Sequence, residues 1–240
     1  MLQTFLVILL IGAATAVDLP SYIKPCSKTG NFSECALKHA KEAIPHMLKG
    51  DKKLQLPSFT PLMISAIDIK GANNFNVHLG NLKVYGLEFT EPVNISVDFA
   101  HRTAKVISTV PRLVVLGNYT INGKILIFTL NGHGAVNITL SKGTYEYGFH
   151  WTTEQRNGVE YGKIIGSNFD YAIEGVEYHF ENVINKEKAI SEQVNKILNK
   201  NWKIVNNDLK PSISETLLII HNELFSKVFT QVPYKQLFLE

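Results

Sequence analysis

Two cysteines, eight histidines and four N-x-S/T triplets are the residues of this 240-residue chain best suited to chemistry. Cys26 and Cys35 stand close together near the N-terminus. Their spacing is wrong for C-x-x-C, and two sulfurs alone make a poor zinc site. In an oxidising compartment two such cysteines pair, so a structural disulfide is expected. The histidines are dispersed, and although His39 and His46 can share a helix face, no carboxylate completes a metal set. There is no G-x-S-x-G elbow, since Gly166-Ser167 runs into Asn168-Phe169-Asp170, and no H-E-x-x-H. Gly132-His133-Gly134 lacks the third glycine and following helix of a dinucleotide loop. Nothing selects an active site, so no metal, no cofactor and no enzymatic activity are expected.

The triplets begin at Asn31, Asn94, Asn118 and Asn137. A glycan must project into water. Asn94 shares strand parity with Ser96 and Asp98, opposite Val93, Ile95 and Val97, and Asn137 falls with Thr139, opposite Val136, Ile138 and Leu140. Both agree with a sheet wet on one face and dry on the other. Asn118 is less clear, because Val114 and Leu116 share its parity, and Asn31 can alternatively cap a helix.

Sequons and a disulfide require export, and the first residues supply a signal. Leu2 to Gly12 is an uncharged apolar run followed by Ala13-Ala14-Thr15-Ala16, an A-x-A cleavage site. The run is too short to span a bilayer. The expectation is a signal peptide over residues 1–16 and a secreted, monomeric single domain over 17–240, with no stable membrane insertion. The formal net charge is +3, and Lys49, Lys52 and Lys53 read as a solvated turn. Without a basic stripe, nucleic-acid binding is not expected.

The elements that must position these residues fall into three blocks. A short helix is expected over about Phe32 to Lys49, stopped by Gly50 and carrying Pro45 inside it. From Leu62 to Val183 the chain reads as strand after strand, separated by signals such as Asn122-Gly123, Asn131-Gly132, Asn157-Gly158 and Glu174-Gly175. Hairpins without intervening helices imply an antiparallel sheet. A helix capped by Asn185 follows, with Ile190, Val194, Ile197, Leu198 and Val205 on one face, and Pro211 suits the first turn of a longer helix. There Ile213, Leu217, Ile220, Leu224 and Val228 form one stripe, widened by Leu218, Ile219, Phe225 and Phe229. A helix so broadly apolar should be enclosed. The fold class is therefore α+β: a strongly curved antiparallel sheet wrapped around a long C-terminal helix. On the sheet's dry face Tyr145, Tyr147, Phe149 and Trp151 share a parity, which suits either core packing or the wall of an apolar cavity.

Several segments together resemble a known family. Cys26 and Cys35 bracket a loop before a helix ending at Gly50, and Leu54-Gln55-Leu56-Pro57-Ser58-Phe59-Thr60-Pro61-Leu62 follows. Gly117 to Leu126 leads into Gly132-His133-Gly134, Leu198 to Trp202 comes later, and Val232 to Phe238 closes the chain. Over the whole mature length this is similar to the takeout branch of the insect juvenile-hormone-binding protein family. The resemblance implies a tubular lipid-binding fold, an internal tunnel for apolar ligands, circulation in haemolymph or another extracellular fluid, and no catalysis. Thr60 stands where that family often has Asp, and no cysteines remain for the second disulfide of authentic hormone binders, which favours the takeout branch. Such members are linked to feeding, circadian output, chemosensation and mating behaviour.

The expected function is reversible carriage of a hydrophobic small molecule: a terpenoid, a fatty acid or a quinone-like lipid. The other reading is an extracellular signalling or interaction protein of the same fold with a filled core. The tunnel wall is expected to include Leu217, Ile220, Leu224 and Val228 of the last helix and Tyr147, Phe149 and Trp151 of the sheet.

Overall fold

The structure, a computed structural model, describes residues 17–71, 74–184 and 188–240. The expected signal peptide and the capping role of Asn185 lie outside the described residues. A two-residue strand β1 (Cys26–Ser27) precedes helix α1 (Phe32–Met47). Asn31 starts α1: its Oδ1 accepts from the Glu34 amide, and its Nδ2 donates to Glu34 Oε2 at 2.8 Å. This reciprocal pairing satisfies an amide that the first helical turn leaves open. Pro45 lies within the last turn without breaking the helix, and Gly50 reverses the chain at φ +84°.

The sheet is built from β2 (Leu62–Lys70), β3 (Asn76–Tyr85), β4 (Glu91–Asp98), β5 (Thr103–Ile125), β6 (Phe128–Arg156) and β7 (Val159–Phe180). All pairings are antiparallel, in the order β2-β3-β5-β6-β7, and β4 pairs with the first part of β5 while β3 pairs with the second. The β6–β7 turn is Asn157-Gly158, both at positive φ, the geometry this dipeptide favours. Asn122-Gly123, Asn131-Gly132 and Glu174-Gly175, read above as turns, instead lie within β5, β6 and β7, with Asn122 opposite Asn131. The hairpin turns between them, at Leu126-Ile127.

A transverse crease divides the sheet. On β6 the inward residues are Val136, Ile138 and Leu140 below it and Gly143, Tyr145 and Tyr147 above, so the parity flips. β7 flips between Ile173 and Val176, and β5 between Val110 and Leu113. By register Pro111, Lys142 and Glu174 lie opposite one another at this level. Pro111 has no N–H to give the ladder, Lys142 takes φ +45°, and Lys142 pairs with Glu174 at 2.9 Å. Each long strand therefore serves two cores. Below the crease Val77, Leu79, Ile121, Leu130, Tyr178 and Phe180 pack together, and above it Tyr147, Phe149, Trp151, Phe169 and Tyr171 do so.

Two helices close the open side. α2 (Lys188–Lys200) lies along β7, and α3 (Trp202–Gln231) contacts both β7 and β2, the two ends of the sheet. The last helix thus begins at Trp202, not at Pro211, which sits inside it. The break falls at Asn201, whose side-chain Nδ2 donates to the Ile197 carbonyl at 2.8 Å and so satisfies the end of α2. Nor is α3 enclosed: Ile204 and Ile219 are 58% and 62% exposed, and only Val205, Leu209 and Phe229 are fully buried. Its apolar surface covers a half-barrel along one side, and its opposite side meets solvent. A short helix α4 (Tyr234–Leu237) leads to β8 (Phe238–Leu239), which pairs in parallel with β1 and ties the two ends of the described chain together. Among the described residues no helix is long and apolar enough to cross a membrane.

Candidate ligand cavity

A cavity of about 210 Å³ lies below the crease, between the sheet and the helices. It exceeds an engineered apolar cavity of about 150 Å³ that stays dry and accepts benzene. β2 contributes Ile64, Ile67 and Ile69, and β3 contributes Val77, Leu79, Leu82 and Val84. The β5–β6 hairpin adds Ile121, Ile125 and Leu130, and α3 adds Val205, Leu209, Ile213 and Leu217 at steps of four. Among the described residues no charged side chain is in the wall, and Tyr145, Tyr171, Tyr178 and Asn206 are its polar members.

Those polar members gather near the crease. The Tyr171 hydroxyl donates to Asn206 Oδ1 at 3.0 Å. The Tyr145 hydroxyl is buried and has no hydrogen-bond partner among the described residues. Its ring folds across Gly143, where an added Cβ would stand 2.3 Å from that oxygen. Burial pushes the Tyr145 phenol up to about 12 and also raises Tyr171 and Tyr178, so all three stay neutral donors near neutral pH. A buried donor without a partner is destabilising unless something supplies an acceptor.

Of the residues expected on the tunnel wall, the structure brings Leu217 alone to this cavity. Leu224 and Val228 pack with Leu54, Leu56 and Val232 under the N-terminal segment, and Ile220 lies half-buried off the wall. Tyr147, Phe149 and Trp151 belong to the core above the crease. There Phe149 meets Phe229 edge-on at 5.4 Å, and Tyr147 meets Phe225 at 4.8 Å. The Tyr147 hydroxyl donates to Asn222 Oδ1 at 2.7 Å, and Trp151 Nε1 donates to the Tyr234 hydroxyl at 3.1 Å. These rings pack against one another, and the hydroxyl of Tyr147 and the indole N–H of Trp151 find partners. Sequence reasoning put Val205 and Ile213 on apolar helix faces without assigning them to the wall and missed Leu209, although with Leu217 the three repeat every fourth residue straight through Pro211.

Elsewhere the chemistry is structural. Cys26 and Cys35 are joined in a disulfide. Their sulfurs lie near His39 Nδ1, but bonded to each other they offer no thiolate to a metal. His78 Nδ1 lies 2.8 Å from Asp68 Oδ1 and His101 Nδ1 lies 2.7 Å from Asp98 Oδ2, both contacts being solvent-exposed and outside the cavity wall. His221 lies between Phe169 and Tyr147, and its Nδ1 donates to the Leu217 carbonyl at 2.8 Å. Burial holds its imidazole below the usual range. Asn31, Asn94, Asn118 and Asn137 are all exposed.

With this geometry in hand, the chain compares with known proteins as follows. A family model described as haemolymph juvenile hormone binding protein (JHBP) matches residues 4–239. The circadian clock-controlled protein daywake of Drosophila melanogaster is 21% identical over 233 residues, covering 91% of this chain and 88% of that protein. Its Drosophila yakuba counterpart is 21% identical over 230 residues, with the same coverage. Among solved structures, Takeout 1 of Epiphyas postvittana superposes with a TM-score of 0.79 at 20% identity, covering 91% of this chain and all of that one.

Proposed function

The chain belongs to the haemolymph juvenile hormone binding protein family, and on that premise we propose that it is a secreted carrier that reversibly binds an apolar small molecule in the cavity below the crease. One observation carries this reading: a cavity of about 210 Å³, uncharged among the described residues, whose polar groups sit at one end and include a buried hydroxyl with no partner among those residues. The ligand is a long neutral molecule with one acceptor group, seated with that group at Tyr145. A terpenoid or quinone-like chain fits better than a fatty acid anion, because a carboxylate would be buried against a wall whose described residues carry no charge. Burying on the order of 400 Å² of apolar ligand yields about 10 kcal/mol at roughly 25 cal/mol per Å². Association costs of about 4 kcal/mol leave about 6 kcal/mol, a dissociation constant on the order of tens of micromolar. The family is one of binding proteins, and no residue of the cavity wall suggests catalysis.

Native mass spectrometry of the purified secreted protein, followed by solvent extraction, tests the reading. A retained neutral lipid is the expected result, and polypeptide-plus-glycan mass alone with nothing extractable would contradict it. The same material tests export. Its N-terminus should be near Val17, after removal of residues 1–16, and glycosidase should shift its mobility through sugar on one or more of Asn31, Asn94, Asn118 and Asn137. The second reading, an interaction protein with a filled core, draws support from the packed aromatic cluster above the crease. It predicts bare protein in the same measurement.

A further inference from the structure

The β5–β6 hairpin turns through Leu126 and Ile127, two bulky aliphatic residues where Asn-Gly or Asp-Gly is the favoured pair. Leu126 holds φ +52°, a left-handed conformation in which a bulky residue is an outlier. Leu126 and Phe128 fold back onto the core around the cavity, while Ile127 is 81% exposed. Ile125 and Leu130, on either side of the turn, both line the cavity. The tip is thus continuous with the cavity wall. Exposed Lys124 stands beside it. The start of α2 lies at the same end, because Ile184 bridges to Asn131 and α2 then runs back along β7, with Asn195 meeting Phe180 and Asn199 meeting Tyr178. Its first turn exposes Lys188 and Ile190.

We propose that this end of the half-barrel adsorbs reversibly to a lipid surface, with Ile127 inserted among the acyl chains, and that ligand is exchanged there. A protein partner fits poorly. A stable protein interface buries about 800 Å² on each side, far more than a two-residue tip presents. A lipid surface accepts single aliphatic side chains, with lysines at its polar border. One inserted isoleucine gives weak binding, which suits a carrier that must leave with its cargo. The exchange step rests on the carrier reading, but the adsorption does not.

The test uses the full secreted chain and vesicles of phosphatidylcholine, alone and mixed with phosphatidylserine. Adsorption is read by co-flotation. Exchange is read by transfer of a pyrene-labelled long-chain alcohol between vesicle populations, and uptake of the same probe from solution is followed separately. The wild type should float with both vesicle types, and its transfer rate should rise with vesicle concentration. Ile127→Asp should lower the bound fraction about tenfold or more and slow transfer, with uptake from solution unchanged, whereas Ile127→Leu should behave as wild type. Ile127→Gly removes the exposed apolar side chain and leaves Leu126 on the core, so its loss of adsorption at a wild-type melting temperature is not a folding defect. Absence of flotation in the wild type overturns the proposal, as does undiminished flotation of Ile127→Asp. A dimer that Ile127→Asp dissolves would also overturn it, in favour of a second copy at the tip. Adsorption without uptake of the probe from solution would instead remove the carrier reading and leave the lipid contact standing.

Discussion

A tryptophan placed at each of two positions on α3 separates cavity from core. Leu217 faces the cavity, and Leu224 packs against Leu54 and Val232, both fully buried. In Leu217→Trp the larger ring enters empty space. Tryptophan adds roughly 60 Å³ over leucine, and at about 24 cal/mol per Å³ of cavity removed this recovers about 1.4 kcal/mol in the ligand-free protein. Leu224→Trp has no such space, and overpacking typically costs about 1–3 kcal/mol. For a chain of this size 1 kcal/mol corresponds to about 2–4 °C in melting temperature. Scanning fluorimetry of delipidated protein should therefore show Leu217→Trp melting a few degrees above wild type and Leu224→Trp below it. Uptake of a neutral fluorescent probe should be lost in the first variant and kept in the second. If Leu217→Trp melts lower and still takes up probe at wild-type level, that side chain does not face an open cavity, and the assignment of the site fails.

His221 gives a pH dependence. Burial lowers its folded pKa below the ordinary 6.5, so as pH falls the unfolded chain takes up the proton first. Its contribution is fully present above about 6.5 and declines from there towards the folded value. Melting temperature should fall over that interval, and His221→Phe should flatten the slope; an unchanged slope in the variant refutes the assignment. Reducing Cys26–Cys35, nine residues apart, should cost about 2–3 kcal/mol on the chain-entropy account. Labelling of both thiols by alkylating reagent without reductant would contradict the bond. Asn195→Ala strips partners from both the amide and the carbonyl of Phe180. The loss should be about 1–3 kcal/mol or more, and a melting temperature equal to wild type would show those groups finding other partners.

Periodicity revealed the sheet, its wet face and the presence of a long final helix, because burial on one face leaves a signature at every second or fourth residue. It did not locate the cavity. Parity assigns Tyr145 and Trp151 to one face of β6, but the first lines the cavity and the second is buried in the aromatic cluster above the crease, since the distinction depends on position along the strand. The crease at Pro111, Lys142 and Glu174 reverses parity on three strands together, and no single strand's pattern marks its level. The helix boundary was missed because proline is read as a start, although the steps Val205, Leu209, Ile213 and Leu217 cross Pro211 unbroken. Asn-Gly misled in the same way: such pairs inside β5 and β6 sit where backbones approach closely, as at Gly132, where a Cβ would stand 2.3 Å from the Asn182 carbonyl oxygen.

The half-barrel leaves two sheet edges, and a 22-residue strand such as β7 is an inviting template for another chain of the same sequence. Asn195 and Asn199 answer this chemically. Each side-chain amide donates to and accepts from one residue, Phe180 and Tyr178 respectively, as a neighbouring strand's backbone would. Unlike a backbone, a side-chain amide ends the ladder, because it offers no further edge to extend. At the opposite edge Ser212 Oγ accepts from the Lys70 amide. Cross-chain pairing and its end state, stacked β-fibrils, are thereby denied a start at these positions. α2 and α3 thus protect the protein from self-association as well as roofing the cavity, and variants that loosen them should lose solubility before they lose ligand.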